Sequence, residues 1–152
     1  PDMHVYDTRE QFDAQLGTVK KWMRTGQALD IAPTLSRNVA YSIGDSLTYW
    51  WDNTPALAGE DLIGHRRYLF VCSPIDGDMT VMVAPKGQLT AVEAYSDLTD
   101  RERFVGPANI VTVPAGGIFV ADIDEAAKVL SDPDVAAVVL HVTVEGYSFP
   151  NK

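Results

Sequence analysis

Several side chains able to donate or accept a proton stand at alternate positions of apolar segments. Because successive side chains of a β-strand point to opposite faces, alternation gathers such groups on one face of a sheet. A general base and a general acid held near one substrate are sufficient for proton-transfer chemistry. The groups that alternation can place on an inner face are Arg66, Tyr68, Glu93, Tyr95, Asp122, Asp124 and His141.

His141 is the most informative of these groups, since it interrupts the apolar segment 135–144. In an extended chain it faces opposite to its apolar neighbours, and an imidazole titrates near neutral pH. Two alternatives remain: a proton-transfer residue of a pocket, or a core or surface histidine with an ordinary hydrogen-bond partner. We predict a catalytic set of Glu93, His141 and Arg66.

The segment 66–73 predicts a β-strand, because most of its residues are aromatic, β-branched or aliphatic and a proline and an Asp-Gly pair follow it. Alternation puts Arg66 and Tyr68 on one face of this strand. Burying an arginine is costly unless an anionic or polar partner meets it. We therefore predict that Arg66 and Tyr68 on this face contact a substrate, together with Tyr95 and Asp122 from other predicted strands.

One helix and about eight strands are predicted to position these groups. The helix begins with a capping-box pattern at Thr8, carries an apolar stripe at helical spacing and ends at Gly26. Residues 38–54 predict a hairpin in which Trp50 and Trp51 point to opposite faces. Further strands are predicted at residues 79–84, 88–95, 110–113, 117–123 and 135–144, with one or two helical turns at 124–130 and a charged surface loop at 96–103.

The spacing of Gly64, Phe70, Cys72 and Gly77 resembles the first motif of the cupin superfamily. Short strands separated by turns also favour an antiparallel sandwich or barrel. Together they predict a mainly β fold, a cupin-like double-stranded β-helix or jelly-roll barrel, with one N-terminal helix packed on the sheet. The chain, residues 1–152, is predicted to form a single domain of this type.

Composition and charge exclude several classes of function. The chain has a net charge of −9 and no basic stripe that could neutralise phosphate groups. This excludes nucleic acid and anionic membrane surfaces as partners. A single cysteine cannot form an internal disulfide and fits a reducing compartment, and no apolar run approaches the roughly 20 residues of a membrane helix, so we expect a cytoplasmic protein. The absence of a nucleophile elbow disfavours a serine or cysteine hydrolase.

Six short pieces of the chain carry a more specific resemblance. They are residues 42–49 (SIGDSLTY), 64–68 (GHRRY), 84–86 (APK), 92–93 (VE), 99–102 (TDRE) and 138–140 (VVL). Together they resemble the YhcH/YjgK/YiaL family, with almost no change of register from Met3 to Lys152. The resemblance implies a cupin-like barrel that is frequently a homodimer and serves sugar metabolism.

Two functions follow from this resemblance. The first is a non-hydrolytic accessory subunit of a large glycosidase chain, with a sugar-type pocket. The second is a sugar anomerase, which would exchange the ring forms of a sialic-acid-like or other reducing sugar by general acid–base catalysis. A small-molecule sugar is the expected ligand in both cases, and Lys86, in the third matching piece, joins the predicted substrate contacts.

The resemblance also implies a metal site whose ligand positions have changed. In metal-containing members the ligands stand at positions that correspond here to Phe70, Cys72 and Asp124. A phenylalanine cannot bind a metal, whereas Cys72 and Asp124, with His65 nearby in sequence, could hold zinc or another divalent ion. The alternative is that no cofactor is bound, because a thiol in an apolar strand behaves as a small hydrophobe.

Overall fold

The computed structural model of the chain describes residues 5–16, 19–44 and 46–144. Within them, strands account for most of the regular structure, and short 3-10 turns follow α2 and β6. The helices are α1 (Arg9–Leu16), α2 (Lys20–Ile31) and α3 (Thr54–Leu57). The strands are β1 (Val5–Tyr6), β2 (Tyr41–Ile43), β3 (Leu47–Asn53), β4 (Leu62–Gly64), β5 (Tyr68–Pro74), β6 (Met79–Pro85), β7 (Thr90–Ser96), β8 (Arg101–Val105), β9 (Asn109–Val113), β10 (Ile118–Ala121), β11 (Glu125–Val129) and β12 (Ala136–Thr143).

The strands form two antiparallel sheets of six strands each. Sheet A has the order β1-β10-β5-β12-β3-β2, and sheet B the order β7-β8-β4-β11-β6-β9. Most neighbours within a sheet are distant in sequence, so each sheet is assembled from several parts of the chain, as in a jelly roll. The predicted mainly β, cupin-like fold is confirmed. None of the helices in the described ranges is both long and apolar enough to cross a membrane.

The central strand β12 explains why residues 135–144 are almost continuously apolar. Ala137 and Val139 point into the core between the two sheets, while Leu140 and Val142 point outward into a second core beneath the helices. All four are at most 3% exposed. A strand that is buried on both faces needs apolar residues at every position, so the one polar residue of its middle, His141, stands out.

The N-terminal helices cover the outer face of sheet A. One half of the predicted capping box is present, because the Gln11 backbone N–H donates to Thr8 Oγ1 at 3.1 Å, whereas the Gln11 side-chain oxygen accepts from the Asp7 backbone N–H at 2.9 Å. The prediction of one helix ending at Gly26 was wrong: α1 and α2 are separate, and α2 continues through Gly26 to Ile31. The Arg9 guanidinium lies where a Cβ of residue 26 would be, and it binds Asp30 at 2.6 Å. The glycine therefore permits close packing of the two helices.

Strand pairing determines the structure of two further segments for which the sequence made a prediction. The hairpin at residues 38–54 is confirmed, with Trp50 facing the inner core and Trp51 facing the helices. Residues 124–130, predicted as helical turns, instead form β11, which pairs with β4 on one side and β6 on the other. Two free strand edges with complementary apolar faces outweigh the helical propensity of a short Glu-Ala-Ala segment.

Thr54 joins the start of α3 to the segment before β12. Its backbone N–H donates to the Val135 carbonyl at 2.9 Å, and its hydroxyl donates to Pro133 O at 2.6 Å and accepts from Val135 N–H at 3.1 Å. Thr54 is completely buried. The Thr54 hydroxyl thus fixes the start of α3 against residues 133–135.

Replacing Thr54 by valine is expected to lower the free energy of unfolding by about 1–3 kcal/mol, because a buried donor and a buried acceptor lose their partner. Urea denaturation of the wild type and the variant measures this difference. Thr112→Val, at an exposed position of β9, is the matched control and should change stability by less than about 0.5 kcal/mol. Equal effects of the two substitutions would contradict this account of Thr54.

Candidate functional site

A cavity of about 290 Å³ opens between the inner faces of the two sheets. Strands β3, β5 and β12 of sheet A form one wall, and β4 and β11 of sheet B form the other. Residues 56–59, at the end of α3 and just after it, close one side. The polar and aromatic groups of the lining are His65, His141, Arg101, Lys128, Asp61, Trp50 and Phe70.

His65 and His141 meet at the centre of this lining. Their ring centroids are 4.9 Å apart, and the Trp50 ring stands edge-on to His141 at 5.2 Å. Tyr68 stacks on the other side of His141, with centroids 6.3 Å apart. The inward orientation predicted for His141 is therefore observed, and the strand register places it opposite Phe70.

The surroundings of both histidines favour the neutral imidazole. Burial lowers the pKa of His65, and the positive charges of Arg101 and Lys86 add to this, although its contact with Asp100 acts in the opposite direction. Burial, followed by the neighbouring His65 and Arg101, lowers the pKa of His141 to about 4. At neutral pH each ring therefore carries one N–H and one lone pair, and the Nδ1 of His65 is already within 2.7 Å of the Asp100 backbone carbonyl.

Arg66 lies behind the cavity wall. Strand β5 begins at Tyr68, so the prediction that Arg66 shares its inner face was wrong. The Arg66 guanidinium binds Glu102 at 3.1 Å and lies 4.2 Å from the centre of the Tyr95 ring. Lys86 also binds Glu102, at 2.7 Å, and donates to the His65 backbone carbonyl at 2.8 Å. These contacts hold the backbone that carries His65.

The remaining acidic candidates lie on the surface. Glu93 is exposed on β7 and pairs with Arg103 at 3.1 Å, outside the lining of the cavity. Asp122 and Asp124 are exposed in the turn between β10 and β11. Of the predicted catalytic and substrate-contact residues, the structure thus brings His141 to the cavity wall and places Tyr68 against it.

The residues present do not fit the metal site that the resemblance implies. Cys72 is completely buried in the inner core, where burial raises the pKa of its thiol and keeps it protonated. Phe70 fills the neighbouring ligand position with a ring. In the part of the chain that the structure describes, the one group of His, Cys, Asp or Glu side chains close enough to share an ion consists of Asp122, Asp124 and Glu125 on the surface, without His65 or Cys72.

We expect zinc to leave the melting temperature of the protein unchanged, even at concentrations that would saturate a site with three protein ligands. The melting temperature with and without zinc, and with a chelator, measures this, because a ligand that binds the folded state raises stability. A zinc-dependent rise that is lost in Cys72→Ser would contradict the expectation. A rise lost in Asp124→Asn, with Cys72 intact, would locate the ion at the surface turn instead.

Two features of the site were missed by the sequence analysis. The charged segment 96–103 was predicted to be a surface loop, but Asp100 is 3% exposed, Glu102 is 7% exposed and Arg101 lines the cavity. No helix or strand was predicted for residues 55–59, although they include the end of α3 and close one side of the cavity. The sequence held one indication that the segment 96–103 is more than a surface loop: residues 99–102 belong to the family resemblance, and a solvent-exposed loop does not require a particular charge pattern.

No family model matches the chain. The chain is similar in structure to protein NMB1881 from Neisseria meningitidis, with 12% identity, 75% of this chain and 93% of that chain covered, and a TM-score of 0.43. It is similar to hydroquinone 1,2-dioxygenase from Sphingomonas sp. TTNP3 with 4-hydroxybenzoate bound, with 13% identity, coverage of 76% and 71%, and a TM-score of 0.43. A cupin protein, BF4112, from Bacteroides fragilis has 7% identity, coverage of 72% and 80%, and a TM-score of 0.29. The chain's own strand order defines its cupin-like fold.

Proposed function

We propose that this chain is a non-hydrolytic, sugar-binding protein of carbohydrate metabolism whose cavity exchanges the anomers of a reducing sugar. The observation that carries the proposal is the pair of neutral histidines, 4.9 Å apart, in a cavity of about 290 Å³. Small-molecule pockets span about 300–1,000 Å³, so this one suits a monosaccharide. Trp50 supplies an apolar wall for a sugar ring, and Arg101 supplies donors for its oxygens.

The chemistry requires one proton acceptor and one proton donor. One histidine takes the proton of the anomeric hydroxyl, the bond between the anomeric carbon and the ring oxygen breaks, and a carbonyl group forms. The ring oxygen receives a proton from the N–H of the other imidazole or from water. A neutral imidazole is a suitable partner for a developing oxyanion. Rotation of the carbonyl end and reversal of these steps give the other anomer and restore both histidines.

The acidic groups of the cavity argue against glycoside hydrolysis. Hydrolysis with retention or inversion uses two carboxylates that flank the scissile bond. Among the described residues, Asp61 is the one carboxylate of the lining, and it lies 3.4 Å from the Arg103 guanidinium. We therefore expect the isolated chain to leave a chromogenic galactoside intact.

Exchange NMR over a panel of reducing sugars tests the proposed function. We expect the protein to accelerate anomer exchange of at least one sugar beyond the buffer rate at neutral pH, and Glu93→Gln, outside the cavity, to behave like the wild type. A panel without any acceleration and without shifts of the Trp50 or His141 signals would overturn the proposal. Hydrolysis of the galactoside by the isolated chain would also overturn it.

Binding to a partner chain is the second candidate function. It is favoured by exposed apolar side chains at one edge of sheet B. Val92 of β7 is 50% exposed, and Leu98, just after that strand, is 92% exposed. The resemblance noted above extends to the small (beta) subunit of the evolved β-galactosidase, an accessory partner of a large glycosidase chain. Copurification with such a chain, lost in Leu98→Asp, would support this role. A homodimer, detected by ultracentrifugation and lost in the same variant, would assign the surface to a second copy.

A further inference from the structure

Asp100 holds the His65 ring by its backbone. The carbonyl of Asp100 lies 2.7 Å from His65 Nδ1, and a carbonyl can only accept, so Nδ1 carries the proton. The lone pair of the neutral ring is then on Nε2. Asp100 has a φ of +54°, a left-handed conformation that aspartate tolerates better than most residues. This conformation stands between β7 and β8, where the chain reverses.

The carboxylate of Asp100 is itself fixed by three groups. Its Oδ1 accepts from the backbone N–H groups of Arg66 and Arg67, at 2.9 and 3.0 Å, and from the Tyr95 hydroxyl at 2.5 Å. Burial raises the pKa of this carboxyl, but the three hydrogen bonds outweigh burial, so its pKa lies below the ordinary value. A permanent negative charge therefore stands 3.9 Å from His65 Nδ1.

His141 lacks such support. Its neighbours are the rings of Trp50, Tyr68 and His65 and, further away, the charges of Arg101 and Asp100. Among the described residues, its ring has no hydrogen-bond or ion-pair partner, although its backbone pairs with β3 and β5. Of the two rings, only His65 thus has a fixed anion beside the nitrogen that remains protonated when the ring becomes an imidazolium.

We propose that Asp100 is a positioning residue that makes His65, and not His141, the histidine that takes the proton of the anomeric hydroxyl. The inference rests on the proposed function, which it deepens by assigning the two roles. His65 Nε2 is the acceptor, and the imidazolium that forms is stabilised by the Asp100 carboxylate, as in other histidine–carboxylate pairs. The N–H of the neutral His141 faces the oxygen that gains charge.

Nitrogen-15 NMR of the histidine rings tests this assignment without any sugar. In the wild type we expect His65 to carry its neutral-state proton on Nδ1 and to titrate at higher pH than His141. In Asp100→Asn, which tolerates the same backbone conformation, we expect the titration of His65 to move to lower pH. Asp97→Asn is the matched control, because Asp97 lies in the same connection between β7 and β8 and its carboxylate contacts Arg67, 3.8 Å away, and not the His65 ring. It should leave that titration in place.

Three results would overturn the assignment. They are a neutral His65 with its proton on Nε2, a His141 that titrates above His65, and equal shifts of the His65 titration in Asp100→Asn and Asp97→Asn. The first two use only the wild type, so a variant that fails to fold does not decide the outcome. Where a sugar is turned over, Asp100→Asn should slow anomer exchange about tenfold or more. If the histidine rings titrate as expected but no sugar undergoes anomer exchange, the effect of Asp100 on His65 stands and the proposed reaction is refuted.

Discussion

Anomer exchange should slow about 10²–10⁴-fold when His65 is replaced by glutamine, because the variant loses the one of the two cavity histidines whose ring a fixed carboxylate supports. Glutamine retains an N–H group that can donate to the Asp100 carbonyl, so the loop around Asp100 stays in place. Exchange NMR at neutral pH and saturating sugar measures the rate, and thermal unfolding confirms that the variant is folded.

The matched variant is His141→Gln. It removes the second ring of the pair but keeps a hydrogen-bond donor beside the ring oxygen, so we expect a smaller loss, about tenfold. Unchanged exchange in His65→Gln would refute the role of His65, and equal losses in both variants would show that the two histidines act interchangeably. Loss of sugar binding in both variants would mean that the two histidines bind the sugar and do not transfer its proton.

Acid should destabilise the folded protein through His141. Its pKa in the folded state is about 4, against 6.5 for an unperturbed imidazole. Between these pH values the unfolded chain binds a proton that the folded chain refuses, so the free energy of unfolding falls as the pH decreases. The penalty is absent above pH 6.5 and complete below pH 4, where it reaches about 3 kcal/mol.

Urea denaturation between pH 7 and pH 4 measures this effect as the difference between the wild type and His141→Gln. Protonation of surface carboxylates affects both proteins, so the difference isolates the histidine. We expect the wild type to lose more stability than the variant over this interval. Parallel stability curves would mean that His141 takes up its proton in the folded state at an ordinary pH.

Local pattern was sufficient for much of the fold. The alternation around Trp50 and Trp51 and the polar interruption at His141 predicted the correct faces, because each strand has a buried side that the period of two must satisfy. The helical pattern at residues 124–130 failed for a complementary reason. Its environment is set by β4 and β6, which come from other parts of the chain, and propensity does not contain that information.

The site itself was only partly predictable. Arg66, Glu93 and Asp122 were chosen by residue type, yet each lies outside the lining of the cavity, because a strand boundary or a surface turn determines where it points. Asp100 was overlooked in a segment rich in charge. A buried carboxylate depends on donors supplied by tertiary contact, here backbone N–H groups more than thirty positions away in sequence, and composition cannot reveal them.

Residues 56–59, which close the cavity, lie on a connection that contributes to neither sheet. The two histidines, by contrast, are held by β12 and by the backbone around Asp100. Changes of length or side chain in this connection are therefore expected to alter which molecules enter the cavity, while the two histidines keep their positions.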